Sequence, residues 1–222
     1  MTSKNLNNSN FENLPIVIGI SGASGTVYGL RTLEFLLQNN YKVDLVISES
    51  ATKVAINELN LSLSTDPSLL KEQVLSYCKI NSNNLTVWSY DDIAASISSG
   101  SYKTMGMIVI PASMGTIGAI ASGTSDNLLT RAADVCLKER RKLILVPREM
   151  PFSSIHLENL LKLSRNGAII APASPGFYHS PKNLSDSVDF VVGKVLDLIG
   201  VNNELFTRWK GMKRGREVFN SA

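Results

Sequence analysis

Short apolar runs alternate with longer amphipathic segments along the chain from Pro15 onward. The run Ile16-Val17-Ile18-Gly19-Ile20 leads into a stretch with helical spacing over residues 28–38, which predicts a strand feeding a helix. Further largely apolar runs occupy residues 43–47, 107–110, 143–146 and 168–170. Runs that are apolar on both faces fit strands buried inside a parallel sheet, whose crossover helices cover both sides. Helices are predicted over residues 51–59, 67–77, 127–140, 157–166 and 184–199.

This alternation predicts an α/β protein with a doubly wound, mainly parallel sheet, a Rossmann- or flavodoxin-like three-layer sandwich. Ligands of such sheets bind beyond the carboxyl ends of the strands, so the chemistry is expected in the loops after each apolar run. The length of 222 residues, 44% of them hydrophobic, is enough for one sizeable core. The expected division is a disordered Asn- and Ser-rich extension at 1–14, a single α/β domain at 15–210 and a basic tail at 211–222.

The net charge of +3 is small and the basic residues are scattered until the stretch from Arg208 to Arg216, which excludes a nucleic-acid footprint along the whole chain. Cys78 and Cys136 are too few and too far apart for a disulfide framework or a metal-ligand set. The first residues carry no apolar run of a secretory signal, and no stretch has the roughly 18 consecutive apolar residues of a membrane span. A soluble protein of the cytoplasm is expected.

Four loops are unusual in composition. Gly19-Ile20-Ser21-Gly22-Ala23-Ser24-Gly25-Thr26 has small residues that admit close backbone approach, ahead of a helix whose N-terminal N–H groups attract anions. It reads as a phosphate or flavin cradle, or as a plain tight turn. Its glycines follow G-x-x-G-x-x-G and not the dinucleotide spacing G-x-G-x-x-G, although Glu49 could serve a ribose. Pro111-Ala112-Ser113-Met114-Gly115-Thr116 reads as a second loop with hydroxyl and backbone donors. Pro147-Arg148-Glu149-Met150-Pro151-Phe152-Ser153-Ser154 puts a charged pair at a strand end, and Pro172-Ala173-Ser174-Pro175-Gly176-Phe177-Tyr178-His179-Ser180-Pro181 brings an aromatic pair whose Tyr178 hydroxyl can hold a phosphate oxygen. Arg131 and Lys138, seven positions apart, share one helix face, with Asp134 available as a partner for Arg131.

Gly22-Ala23-Ser24-Gly25, the Pro-x-Ser-x-Gly-Thr segment, Arg131-Ala132-Ala133-Asp134, Lys138-Glu139-Arg140-Arg141, Pro147-Arg148-Glu149 with Pro151-Phe152-Ser153-Ser154-Ile155-His156, and Pro175-Gly176-Phe177-Tyr178 follow one another in the order found in flavin prenyltransferases of the UbiX/Pad type. From about Ile16 to Trp209 the chain closely resembles that family. The resemblance implies that Gly22, Ala23, Ser24, Ser48, Ser113, Met114, Gly115, Thr116 and Arg131 contact FMN, with Arg148 beside them. It implies Tyr178, Lys194, Lys138 and Arg148 as partners of the prenyl phosphate, and Ser24, Glu58, Lys138 and Glu149 as catalytic. Lys194 stands where some relatives carry Arg, keeping the charge but losing the bidentate fork.

The implied activity joins a dimethylallyl group to N5 and C6 of reduced FMN, making the cofactor of UbiD-type decarboxylases in quinone synthesis or phenolic acid breakdown. A homo-oligomer, a dodecamer with sites shared between subunits, is also implied, with Trp209 and the basic tail at an interface. Asp91-Asp92 is an isolated acidic pair, so a monophosphate donor and no metal are expected. Two other readings are an FMN-dependent cysteine-type decarboxylase and a non-enzymatic FMN-binding module. Against the first, Met114-Gly115 replaces the Ala-Asn of those enzymes, and the two histidines, His156 and His179, fall in prenyltransferase-like motifs. The second has no use for Tyr178, Lys194 and Glu149.

Overall fold

A computed structural model describes residues 14–209 and residue 211. The expected N-terminal extension and basic tail fall, apart from Leu14 and Gly211, outside the described residues. The elements run β1 (Ile16–Ile20), α1 (Thr26–Gln38), β2 (Val43–Ile47), α2 (Glu49–Leu59), α3 (Pro67–Cys78), β3 (Leu85–Trp88), β4 (Gly106–Ala112), α4 (Met114–Ser122), α5 (Leu128–Lys138), β5 (Lys142–Pro147), α6 (Ser154–Arg165), β6 (Ile169–Ile170) and α7 (Leu184–Ile199). The six strands form one sheet in the order β3-β2-β1-β4-β5-β6, and every pairing is parallel. No helix among the described residues is long and apolar enough to cross a membrane.

Strand periodicity divides the core in two. Ile16, Ile18, Ile20, Leu45, Ile108 and Ile144 point to the side covered by α1, α2, α3 and α7. Val17, Val46, Met107, Val109, Leu143 and Leu145 point to the side covered by α4, α5 and α6. Since successive side chains face opposite ways, strands covered on both faces are apolar almost throughout, and β1, β2 and β4 are buried at every position with Asp44 of β2 their one charged residue. Each such Ile or Leu contributes about 1.5–3 kcal/mol by leaving water.

Three expectations need correction. The segment 111–116 is not a free loop: Ser113 is an N-cap whose hydroxyl accepts the Thr116 N–H at 3.2 Å, and Met114, Gly115 and Thr116 are the first turn of α4. Gly115 and Gly118 are poor helix formers and blur the 3.6-residue period, so α4 was invisible in the pattern. The short strand β3 was missed because it is an edge strand with one buried position in four. Finally, α1, α2 and α6 begin two or three residues earlier than their predicted starts, at Thr26, Glu49 and Ser154, each with a polar residue at its first position.

One buried polar group stands apart from the site. Asp44 on β2, only 2% exposed, accepts Trp88 Nε1–H at 2.8 Å and the Tyr102 hydroxyl at 3.0 Å. Burial raises its carboxyl above the ordinary range, against the pull of these two donors.

Candidate active site

In this strand order the connections leave β1 and β4 toward opposite faces of the sheet, which opens a crevice beyond their carboxyl ends. Ser21, 1% exposed, binds the two loops of the crevice together. Its hydroxyl donates to the Pro111 carbonyl at 3.0 Å and accepts the Ser113 N–H at 2.7 Å, while its own N–H donates to Pro111 at 3.2 Å. Sequence reading placed Ser21 in the first loop without singling it out. A hydroxyl directly after a buried strand was the available signal.

Several helix N-termini gather here, because each of α1, α2, α4 and α6 follows a strand directly. Ser48, buried, accepts the Ala51 N–H at 3.2 Å and caps α2, and Ser113 caps α4. Gly25, the N-cap of α1, has no side chain to do the same. Glu58 supplies the missing acceptor from the end of α2: its carboxylate accepts the Gly25 N–H at 3.0 and 2.8 Å and the Thr26 N–H at 3.2 Å. An anionic group therefore already occupies the positive end of α1, as the orphan amides and the macrodipole favour.

Arg148 crosses the crevice from the end of β5, where its Nε donates to the Ser24 carbonyl at 3.0 Å. Tyr28 is half-buried nearby. Desolvation raises its phenol, and the positive charge of Arg148 works against that rise. Glu149, next in the chain, is exposed and accepts the Met150 N–H at 3.0 Å. The fourth loop is carried alongside the third, because Ala173 N–H donates to the Pro147 carbonyl at 3.0 Å and prolongs the β5–β6 pairing. Within it Tyr178 packs edge-on against Phe190 of α7 at 5.5 Å and against Trp209 at 5.8 Å. Lys194 is exposed one turn beyond Phe190 on α7.

The chain thus brings Gly22, Ala23, Ser24, Ser48, Glu58, Ser113, Met114, Gly115, Thr116, Arg148 and Glu149 to one end of the sheet. Arg131, in the first turn of α5, is at that end too, and it forms no ion pair with Asp134. Lys138 does not join them. It ends α5 at the opposite edge, roughly 10 Å along the helix axis from Arg131. There its Nζ lies 3.2 Å from Glu139 and faces Gly100, in the segment entering β4. A shared helix face is not a shared helix end.

The residues fit a flavin phosphate and ring edge. Thr26 Oγ1, buried at the first position of α1, has no hydrogen-bond partner in the protein. At Gly22 a Cβ would collide with the side chain of Ser50, so only a glycine leaves the cradle open. Among the described residues no three His, Cys, Asp or Glu side chains converge as a metal site requires.

A doubly wound sheet with small-residue loops and helix N-termini at its switch point defines a nucleotide-binding α/β protein. The family model described as Flavoprotein matches residues 4–196. The flavin prenyltransferase UbiX of Halalkalibacterium halodurans is 49% identical over 192 residues, 86% of this chain and 91% of that one. The chain belongs to this family, the UbiX-type flavin prenyltransferases. Among solved structures, AnUbiX (PadA1) in complex with FMN and dimethylallyl pyrophosphate superposes with a TM-score of 0.80 at 38% identity, over 90% of this chain and 100% of that one. A dodecameric FMN-dependent UbiX-like decarboxylase from Escherichia coli O157:H7 gives 0.78 at 41%, over 89% and 100%.

Proposed function

We propose that the protein transfers a dimethylallyl group from dimethylallyl monophosphate to N5 and C6 of reduced FMN, and that a UbiD-type decarboxylase receives the product. The observation that carries this reading is the crevice beyond β1 and β4, where Arg148 reaches across to the Ser24 carbonyl and Thr26 Oγ1 is left without a partner, in a chain so similar to flavin prenyltransferases.

Reduced FMN, when bound, supplies the nucleophilic nitrogen and carbon. Breaking an allylic C–O bond puts positive charge on carbon and negative charge on the departing phosphate, and preorganised donors stabilise the latter. Arg148, Tyr178 and Lys194 are assigned to that phosphate, with Gly22, Ala23, Ser24, Ser48, Ser113, Met114, Gly115, Thr116 and Arg131 on the flavin. Arg148 also holds the Ser24 carbonyl, so it fixes the loop that carries the Ser24 hydroxyl. As the second bond forms, the prenyl double bond takes up a proton and C6 loses one, and Glu58, Glu149 and the released phosphate are the groups available to carry these protons.

Lys138 is assigned to the site of a neighbouring copy, since its own chain holds it at the far end of the sheet. A homododecamer, the state of the Escherichia coli relative, would supply that neighbour.

The test is anaerobic incubation of the protein with reduced FMN and dimethylallyl monophosphate, without metal, followed by mass spectrometry of the extracted flavin. A gain of one five-carbon prenyl unit is expected, and it is lost in Glu149→Gln. Tightly bound but unmodified FMN would replace this reading with a decarboxylase or a flavin carrier.

A further inference from the structure

After α7 ends at Ile199 the chain reverses and runs back along that helix toward the active-site end. Residues 201–209 form this returning strap, and three sets of contacts hold it. Asn203, 8% exposed, donates its side-chain amide to the Gly193 carbonyl and to Asp197 Oδ1, both at 3.0 Å. Such close approach requires glycine at 193, because a Cβ there would lie 2.6 Å from the Phe206 ring and 2.7 Å from Asn203 Oδ1. Phe206 packs against Phe190 at 5.1 Å. Arg208 then closes a fork on Asp197, with both N–O distances 2.8 Å, and donates to the Asn203 carbonyl at 3.0 Å while lying 5.2 Å from the Phe206 ring centre. The next residue is Trp209, whose indole meets Tyr178 edge-on at 5.8 Å.

We infer that Arg208, through its fork on Asp197, is a positioning residue that seats Trp209 on Tyr178 and thereby sets the wall of the prenyl-phosphate pocket. The geometry favours a specific device over mere packing of a chain end. A bidentate guanidinium–carboxylate pair fixes direction as well as distance. Asp197 is already committed to it, since its hydrogen bonds to Arg208 hold its carboxyl below the usual range. Tyr178 is 48% exposed, and its ring meets Trp209, Phe190 and His179 edge-on. Arg208 hydrogen-bonds to Asp197 and Asn203 and meets Tyr178 only through charge, so the packing route from Arg208 to the substrate pocket runs through Trp209.

The inference rests on the assignment of Tyr178 to substrate, and the test separates the two. Time-resolved anisotropy of Trp209 in a Trp88→Phe background reads the strap without any substrate. Arg208→Gln is expected to release the indole, with faster depolarisation, and Arg208→Lys to give an intermediate value. If Trp88→Phe does not fold, the difference between Arg208→Gln and the Trp88-containing parent gives the same reading. In the prenyl-transfer assay Arg208→Gln is expected to raise KM for dimethylallyl monophosphate about fivefold with kcat within twofold, and Arg208→Lys to recover part of that loss. Unchanged Trp209 anisotropy in Arg208→Gln, or a freed indole with an unchanged KM, overturns the inference. A parent protein that shows no prenyl transfer removes the substrate assignment, and the anisotropy then decides the latch alone.

Discussion

Glu58 and Gly25 are 33 residues apart in sequence, and the carboxylate of the first closes on the backbone N–H of the second at 2.8 and 3.0 Å. One side chain therefore caps a helix that cannot cap itself and puts a proton acceptor at the mouth of the flavin cradle. These two roles separate under substitution. Glu58→Ala is expected to remove about 1 kcal/mol of capping and lower Tm by roughly 2–4 °C. Glu58→Gln keeps an acceptor oxygen and should melt closer to the parent, yet lose about 100-fold in turnover because it takes up no proton. Melting curves beside single-turnover rates check this, and a Glu58→Gln variant with parental turnover would leave Glu58 as a cap only.

Ser21 joins the β1 and β4 loops through a hydroxyl that both donates and accepts. Ser21→Ala would leave the Ser113 N–H without its partner beneath the crevice, while the Pro111 carbonyl keeps the Ser21 N–H, a loss of about 1–3 kcal/mol. FMN retention should fall more than stability does, because the variant loosens the two loops against each other without touching the core. Chemical denaturation and a flavin-release titration measure the two effects separately.

Asp44 predicts a pH dependence away from the site. Its carboxyl is raised in the fold, chiefly by burial, so the folded chain holds the proton to higher pH than the unfolded chain. Stability should then fall as pH rises from about 4 through the folded-state value and level off above it. Asp44→Asn should abolish that slope. Trp88, whose indole N–H reaches Asp44 at 2.8 Å, reports the titration by fluorescence in a Trp209→Phe background. A transition at the ordinary carboxylate value would contradict the effect of burial.

Lys138 and Tyr178 lie toward opposite ends of the sheet within one chain, so a site needing both must draw them from different copies. Lys138→Ala and Tyr178→Phe should each be nearly inactive alone. Co-refolded at equal amounts, they should regain roughly a quarter of parental activity by random assortment in a symmetric oligomer. No recovery on mixing would mean that Lys138 serves no neighbour's site.

The candidate site was legible to different depths. Its loops were readable because buried parallel strands are apolar almost throughout, so the small and polar residues directly after them stood out as loops at the carboxyl ends. The helix α4 was not, since two glycines hid its period and Ser113 reads equally well as a turn residue or a cap. Neither was the capping of Gly25 by Glu58. That pairing depends on α2 ending beside the start of α1, a relation no local pattern encodes.

What the sequence by itself determined is the α/β alternation, the buried strands, the loops that carry the family's motifs and hence the family. These follow from local composition and order along the chain. The tertiary structure decided which motif residues meet. The 3-2-1-4-5-6 strand order places the β1 and β4 loops side by side, the antiparallel course of α5 takes Lys138 away from Arg131's end, and the strap after α7 brings Trp209 back to Tyr178. Proximity across a sheet is set by chain topology and by the packing of whole elements, which the spacing of residues within any one element does not contain.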